Sequence, residues 1–337
     1  MTTQTLAYSS EIAKATDPIF DKLSKQYERK YWEENIAPYI YEINRLKAEK
    51  NAVILAHNYM TPDIFFGVGD VVGDSLMLAQ KAAESTADII VQCGVHFMAE
   101  TSKILCPDKK ILMPDMDAGC SLAESITAQD VRDLKAKYTG IPVVTYVNTS
   151  AEVKAETDVC CTSSNALKIV NALGEQGHDT VIMTPDMYLA QNIAAQTDVK
   201  IIIWEGSCIV HERFSPQDII DARKEHEGIV VLAHPECPPN VMEQADYSGS
   251  TAQMDNFIKE NQPRRAMLMT ECSMSDNIAA NNPNVEMIGT CQMCPYMKRI
   301  TLPKILAALQ SEAPEIIIDP EIAKRAKRAV DRMLELS

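Results

Sequence analysis

IPVVTYVN (141–148) is a short apolar run that stops at polar groups, and it has a counterpart on either side in NAVILAHNY (51–59) and GIVVLAHPE (228–236). All three are apolar throughout rather than alternating, the pattern of strands in a parallel sheet covered on both faces. A second set recurs in step with them: ADIIVQCG (87–94), DTVIMTPD (179–186) and RRAMLMTE (264–271). A third set follows, KKILMPDMDAGC (109–120), VKIIIWEGSC (199–208) and NVEMIGTCQMC (284–294). Helical segments separate them. SLMLAQKAAES (75–85), SNALKIVNALGE (164–175) and STAQMDNFIKE (250–260) come after the first strand of each set, each opening on a hydroxyl residue suited to an N-cap. TAQDVRDLKAKY (127–138), SPQDIIDARKEH (215–226) and TLPKILAALQ (301–310) come after the third. The βαβαβα order predicts an α/β fold with right-handed crossovers.

The spacing shows a repeat. His57 to Tyr146 is 89 residues and Tyr146 to His234 is 88; Ser75, Ser163 and Ser250 are 88 and 87 apart; Cys120, Cys208 and Cys294 are 88 and 86 apart. Three independent markers with one period predict three homologous three-layer αβα lobes with short parallel sheets around a pseudo-threefold axis. The expected division is residues 1–126 for an N-terminal helical segment plus lobe one, 127–214 for lobe two and 215–300 for lobe three. C-terminal helices in 301–337 are expected to pack back on lobe one. The N-terminal stretch 20–50 and the final stretch 320–336 carry no chemical signal and are expected outside the core.

Composition narrows the function. A net charge of −15 over 337 residues repels a phosphate backbone and argues against nucleic acid. The basic run KRAKR (324–328) reads as a solvated helix face. No basic leader with an apolar stretch opens the sequence, and no apolar run is long enough to span a membrane, so the cytoplasm is the expected compartment. Ten cysteines under those conditions point to metal or catalytic use rather than disulfides, with five or more expected to be buried packing residues.

Lobes of this type bind ligands beyond the carboxyl ends of their strands. One cysteine from each lobe would meet there. Structural zinc usually takes four ligands, often in local C-x-x-C pairs, and the one such pair here is Cys291–Cys294. A [4Fe-4S] cluster held by three cysteines leaves one iron open as a Lewis acid, which points to dehydration chemistry. His57-Asn58-Tyr59, Tyr146-x-Asn148 and His234-x-Glu236 end the three first strands. Residues two apart share a face, and imidazole, phenol and carboxylate suit enolisation and proton shuttling. One such histidine would be read as a hydrogen-bonded strand terminus, but threefold placement favours function. Helix starts at Ser163 and at Ser250-Thr251 suit anions. The matching Asp74-Ser75 is acidic and less suited, so only Ser75 stays as a candidate substrate contact.

Three other functions share some of these features. A zinc hydrolase would need a compact set such as H-E-x-x-H, which is absent. An iron–sulfur sensor would need a nucleic-acid or partner surface that the acidic charge opposes. A metal-free α/β protein binding a phosphorylated metabolite is the remaining alternative.

AHNYM at His57, MPDMDAGCSLA, VVTYVNTSAEVKAETDVCCTSSNA, WEGSCIVHERF, AHPEC, ADYSGSTAQM and CQMCPYMKRITL together resemble quinolinate synthase from about residue 36 onward. The resemblance implies three α/β lobes around a central [4Fe-4S] cluster. It also implies condensation of iminoaspartate with dihydroxyacetone phosphate to quinolinate, phosphate and water in de novo NAD biosynthesis. The implied cluster ligands are Cys120, Cys208 and Cys294, with Cys291 a neighbouring thiol able to pair on oxidation. The implied catalytic groups are His57, Tyr59 and Glu236. Substrate contacts are Ser75, Tyr146, Asn148, Ser163, His211, His234, Ser250 and Thr251. An unstable substrate also makes transient contact with an aspartate oxidase conceivable. Cys272 stands where many relatives are expected to have glycine, and Cys160-Cys161 read as packing residues.

Overall fold

The computed structural model describes residues 7–290 and 292–337. Among these residues twelve strands form three separate four-stranded parallel sheets. Lobe one holds β1 (Ala52–His57), β2 (Val71–Gly73), β3 (Ile89–Cys93) and β4 (Lys110–Leu112) in the order β2-β1-β3-β4. Lobe two repeats this with β5 (Val143–Tyr146), β6 (Val159–Cys161), β7 (Thr180–Thr184) and β8 (Lys200–Ile203), in the order β6-β5-β7-β8. Lobe three repeats it again with β9 (Val230–Ala233), β10 (Tyr247–Ser248), β11 (Arg265–Met269) and β12 (Glu286–Ile288), in the order β10-β9-β11-β12. The predicted α/β class and three-lobed layout therefore hold. The nine predicted strands are all present, and each sheet gains a short edge strand of two or three residues, too brief to give a periodic signal.

A second threefold signature appears in the packing. Asp70, Asp158 and Asp246 lie 88 residues apart and each enters its lobe's edge strand. Their carboxylates accept the backbone N–H of Ile54, Val143 and Val231, each at 2.8 Å, tying the edge to the central strand. Lys47, Lys135 and Arg223 neutralise them at 2.8–2.9 Å. A buried strand N–H is thus satisfied the same way three times.

Helices after the third strand of each lobe, His96–Leu105, Met187–Ala194 and Cys272–Asn281, complete the layers. The expected hydroxyl N-caps hold at Ser250, which caps Thr251–Asn261 in a capping box. They do not hold in the other two lobes. Asp74 caps Ser75–Glu84, and Ala166–Glu175 starts at Asn165 without a side-chain cap bond. Asn165 instead turns its amide oxygen back to the N–H of Thr162.

The N-terminal helices wrap lobe one. Trp32 is fully buried between the rings of Phe20 and Tyr27, and Ala37–Glu49 packs on both β1 and Leu302–Ser311. The last helix, Pro320–Leu336, lies along Ala151–Glu156 and β6 of lobe two as well as His96–Leu105 of lobe one, so it bridges the two lobes. Among the described residues no helix is long and apolar enough to cross a membrane.

Candidate active site at the meeting of the lobes

The three lobes face one cavity with an empty volume of ≈ 720 Å³, part of it open to solvent. Cys120, Cys208 and Cys294 all line it. Each opens an equivalent turn, closed by Glu124 N–H to Cys120 O, Glu212 N–H to Cys208 O, and Lys298 N–H to Cys294 O. Each sulfur receives the backbone N–H groups two and three residues on: Leu122 and Ala123, Val210 and His211, Tyr296 and Met297. Such paired donors favour a thiolate. Burial opposes them and pushes all three thiols up, Cys120 to about 12. A cation at the cavity would resolve that conflict. Of the other described cysteines, Cys93, Cys106, Cys160, Cys161 and Cys237 are buried, as packing residues should be. Cys291 lies outside the described residues.

A polar chain crosses the cavity. Glu236 accepts the Tyr146 hydroxyl at 2.5 Å, and its second oxygen lies 2.8 Å from His211 Nδ1. A carboxylate only accepts, so His211 carries its hydrogen on Nδ1. Its Nε2 then faces Thr270 Oγ1 at 2.9 Å, and that hydroxyl is 2.5 Å from the Tyr59 hydroxyl. Tyr59, Thr270, His211, Glu236 and Tyr146 thus form one continuous path drawn from all three lobes. Burial raises the Glu236 carboxyl, but His211 and the hydrogen bonds from His211 and Tyr146 outweigh it and hold the group ionised. Burial, with the charge of Glu236 beside them, pushes the Tyr59 and Tyr146 phenols well up, so both stay protonated.

His57 and His234 behave alike. His57 Nδ1 accepts the Tyr59 N–H at 3.1 Å, and His234 Nδ1 accepts the Glu236 N–H at 3.3 Å. Each neutral ring therefore carries its proton on Nε2, the nitrogen left for a ligand. Burial lowers His57 to about 4 and His234 to about 3, which keeps both rings neutral at physiological pH. His234 also stacks on His211, centroids 4.7 Å apart.

Ser75, Ser163, Asn148 and Thr251 line the same cavity. Asn148 Oδ1 is buried with no partner, and Thr251 Oγ1 accepts from Asn58 at 2.9 Å. Ser250 is not brought to the wall: it is fully buried, capping its helix and contacting Asp74 Oδ2 at 3.3 Å. Sequence reasoning misses Thr270 and Tyr296. The latter lines the cavity and reaches Glu124 of lobe one at 3.1 Å.

A family profile described as "Quinolinate synthetase A protein" matches residues 41–335. The chain belongs to the quinolinate synthase family. It is 57% identical over 330 residues to the quinolinate synthase of Caulobacter vibrioides (strain NA1000 / CB15N), covering 98% of this chain and 90% of that protein. It is 54% identical over 331 residues to that of Sinorhizobium fredii, covering 98% and 91%. Against quinolinate synthase 2 of Mesorhizobium japonicum the identity is 60% over 289 residues, covering 86% and 88%. The family match spans all three lobes and every cavity residue named above.

A further group of ligand atoms lies beside Cys208. Cys208, His211 and Glu236 hold ligand atoms within 4.8 Å of one another. His211 Nδ1, however, already donates to Glu236, so it has no lone pair for a metal while that bond stands. The same Nδ1 lies 3.2 Å from Cys208 Sγ, so its N–H also faces that thiol.

Proposed function

We propose that this quinolinate synthase family member condenses iminoaspartate with dihydroxyacetone phosphate to quinolinate, releasing phosphate and water, in de novo NAD biosynthesis. The proposed cofactor is one [4Fe-4S] cluster held by Cys120, Cys208 and Cys294. The observation that carries this reading is the threefold set of cavity-lining thiols, each receiving two backbone N–H groups. Three soft ligands with N–H support suit an iron–sulfur cluster better than a four-ligand zinc. When bound, a cluster with one iron free of protein ligands supplies a Lewis acid for a departing hydroxyl.

The protein's own groups supply the rest. Neutral His57 presents an Nε2–H to a carbonyl oxygen, polarising it for enolisation. Glu236, ionised and aimed by His211 and Tyr146, accepts a proton. The path through Thr270 and His211 delivers that proton from Tyr59, which takes one from the substrate as its own leaves. Ser163 and Thr251 at helix starts hold phosphate and carboxylate oxygens, and Ser75 is a further substrate contact. The unpartnered Asn148 Oδ1 accepts a hydroxyl or amine, and Tyr146 and His234 close the pocket around it. Ser250 supports Thr251 through its cap. A cytoplasmic location and transient contact with an aspartate oxidase, the source of unstable iminoaspartate, belong to the same proposal.

The test is iron and acid-labile sulfide on protein purified without oxygen, followed by quinolinate formation. About four of each per chain are expected, lost together with activity in Cys120→Ala and Cys208→Ala. Zinc, no metal, or a colourless Cys208→Ala that still turns over would overturn the proposal.

A further inference from the structure

Two buried asparagines stand at matching places in lobes two and three. Asn192 lies six residues beyond Asp186, the N-cap of Met187–Ala194, and Asn277 lies six beyond Glu271, the N-cap of Cys272–Asn281. Both are almost fully buried, at 7% and 2% exposure. Each spends its amide nitrogen on the next lobe. Asn277 Nδ2 donates to Asn58 O at 3.1 Å and to Met60 O at 2.9 Å. Asn192 Nδ2 donates to Pro235 O at 2.8 Å and to Cys237 O at 2.9 Å. The pairs of carbonyls flank Tyr59 and Glu236.

Carbonyls only accept, so the amide nitrogen must face them, and both of its hydrogens are used. Asn277 Oδ1 is left buried without a partner. A residue placed only for packing would not leave a polar atom stranded. Lobe one breaks the pattern. The helix His96–Leu105 has Val95 at its N-cap and Thr101 six residues on, whose hydroxyl bonds within its own helix to Phe97 O. The loop it would serve carries Asn148, and there the buried Lys154 of the same lobe donates to Thr149 O. Asparagine clamps on the flanking carbonyls therefore occur in the two places where the gripped residue is assigned proton transfer, whereas the lobe-one helix reaches the following loop through Glu100, which accepts Ala151 N–H at 3.0 Å.

We infer that Asn277 and Asn192 are positioning residues that fix Tyr59 and Glu236, respectively, by holding both flanking peptides from a neighbouring lobe; this rests on the functional reading above. Each clamp ties the geometry of one proton-moving group to the docking of two lobes. A misplacement of order 1 Å at such a group lowers the rate by about 10²-fold.

The experiment uses the cluster-loaded enzyme and double-mutant cycles of kcat. Asn277→Ala is expected to lower kcat by about 10²-fold with KM and iron content near those of the unmodified enzyme. Combined with Tyr59→Phe, it should add almost nothing to the loss from Tyr59→Phe alone. Asn192→Ala should behave the same way with Glu236→Gln, and Thr101→Ala should keep kcat. If Asn277→Ala does not accumulate folded, Asn277→Ser takes its place in the cycle. Independent, multiplying losses, an unchanged kcat in both asparagine variants, or an equal loss in Thr101→Ala would overturn the inference. A fully active Tyr59→Phe would instead overturn the functional reading, and this inference with it.

Discussion

Lys298→Met tests the most exposed dependence of the site on a single charge. Glu271 sits at the end of β11 with its side chain fully buried, and Lys298 Nζ reaches its Oε1 at 2.7 Å while only 18% of the lysine side chain meets solvent. The same ammonium donates to Tyr59 O at 2.8 Å. Without it, the carboxylate keeps one good hydrogen bond, from Ser273 N–H at 2.9 Å, and long ones from Cys294 N–H at 3.4 Å and Cys272 Sγ at 3.9 Å. Removing one partner of a buried pair costs about 3–5 kcal/mol because the other charge stays buried. Water can approach from the lysine side, so about 3 kcal/mol is expected here. Methionine preserves the aliphatic packing, which leaves the charge as the main change. The readout is the urea midpoint at unchanged slope. Adding Glu271→Gln removes the stranded charge, and the double variant should recover to within about 1 kcal/mol of the parent. A loss under about 1 kcal/mol in the single variant, or a double variant no more stable than the single, would refute this account.

Three further outcomes follow from the same contacts. Thr270→Val keeps the shape but cuts the path between His211 and Tyr59; kcat should fall about tenfold, the equivalent of about 1.4 kcal/mol, at full iron content, and an unchanged kcat would remove Thr270 from the path. Ser121 donates to Ser207 O and accepts from Ile209 N–H, both at 3.2 Å, so its hydroxyl grips both sides of Cys208; Ser121→Ala should release iron faster to a chelator, and an equal rate would argue against that brace. Hydrogen bonds from Lys110 and then Lys50 hold the Glu312 carboxyl down at about 2. A depressed folded value means that its stabilisation is present above the ordinary 4.5 and fades as pH falls toward 2. Glu312→Gln should therefore lower the melting midpoint above that window and converge with the parent below it, and parallel pH curves would contradict the assignment.

Much of this site is legible in the sequence because it sits at strand ends that repeat. A strand end, a cysteine turn and a helix start each carry a residue-type signal, and three copies at one spacing separate that signal from chance. What has no threefold echo stays hidden. Thr270 directly precedes the N-cap residue Glu271, and the matching places hold Gly94 and Pro185, so no pattern marks it. Asn192 and Asn277 are similarly masked by Thr101. The edge strands β2, β6 and β10 run only two or three residues and owe their pairing to Asp70, Asp158 and Asp246 rather than to apolar periodicity. Ser250 misleads for the opposite reason: a hydroxyl at a helix start reads equally as a cap or as an anion contact. Its burial assigns it to the cap.

The pattern of what repeats and what does not has its own logic. Features made by the backbone, the three cysteine turns with their paired N–H groups and the three aspartate-tied strands, are kept in every lobe. On the proposed function one centre is shared by three equivalent turns, so there symmetry is useful. The side chains two residues apart at the strand ends have diverged instead, to His57 with Tyr59, Tyr146 with Asn148, and His234 with Glu236. An asymmetric substrate needs a different group on each side, and a proton path needs a donor at one end and an acceptor at the other. The chain from Tyr59 to Glu236 depends on that divergence, since three identical strand ends would place like groups against each other with no direction for a proton to move. On the proposed function, divergence at the wall is what lets a symmetric frame carry out directional chemistry, and the asparagine clamps follow the divergence rather than the symmetry.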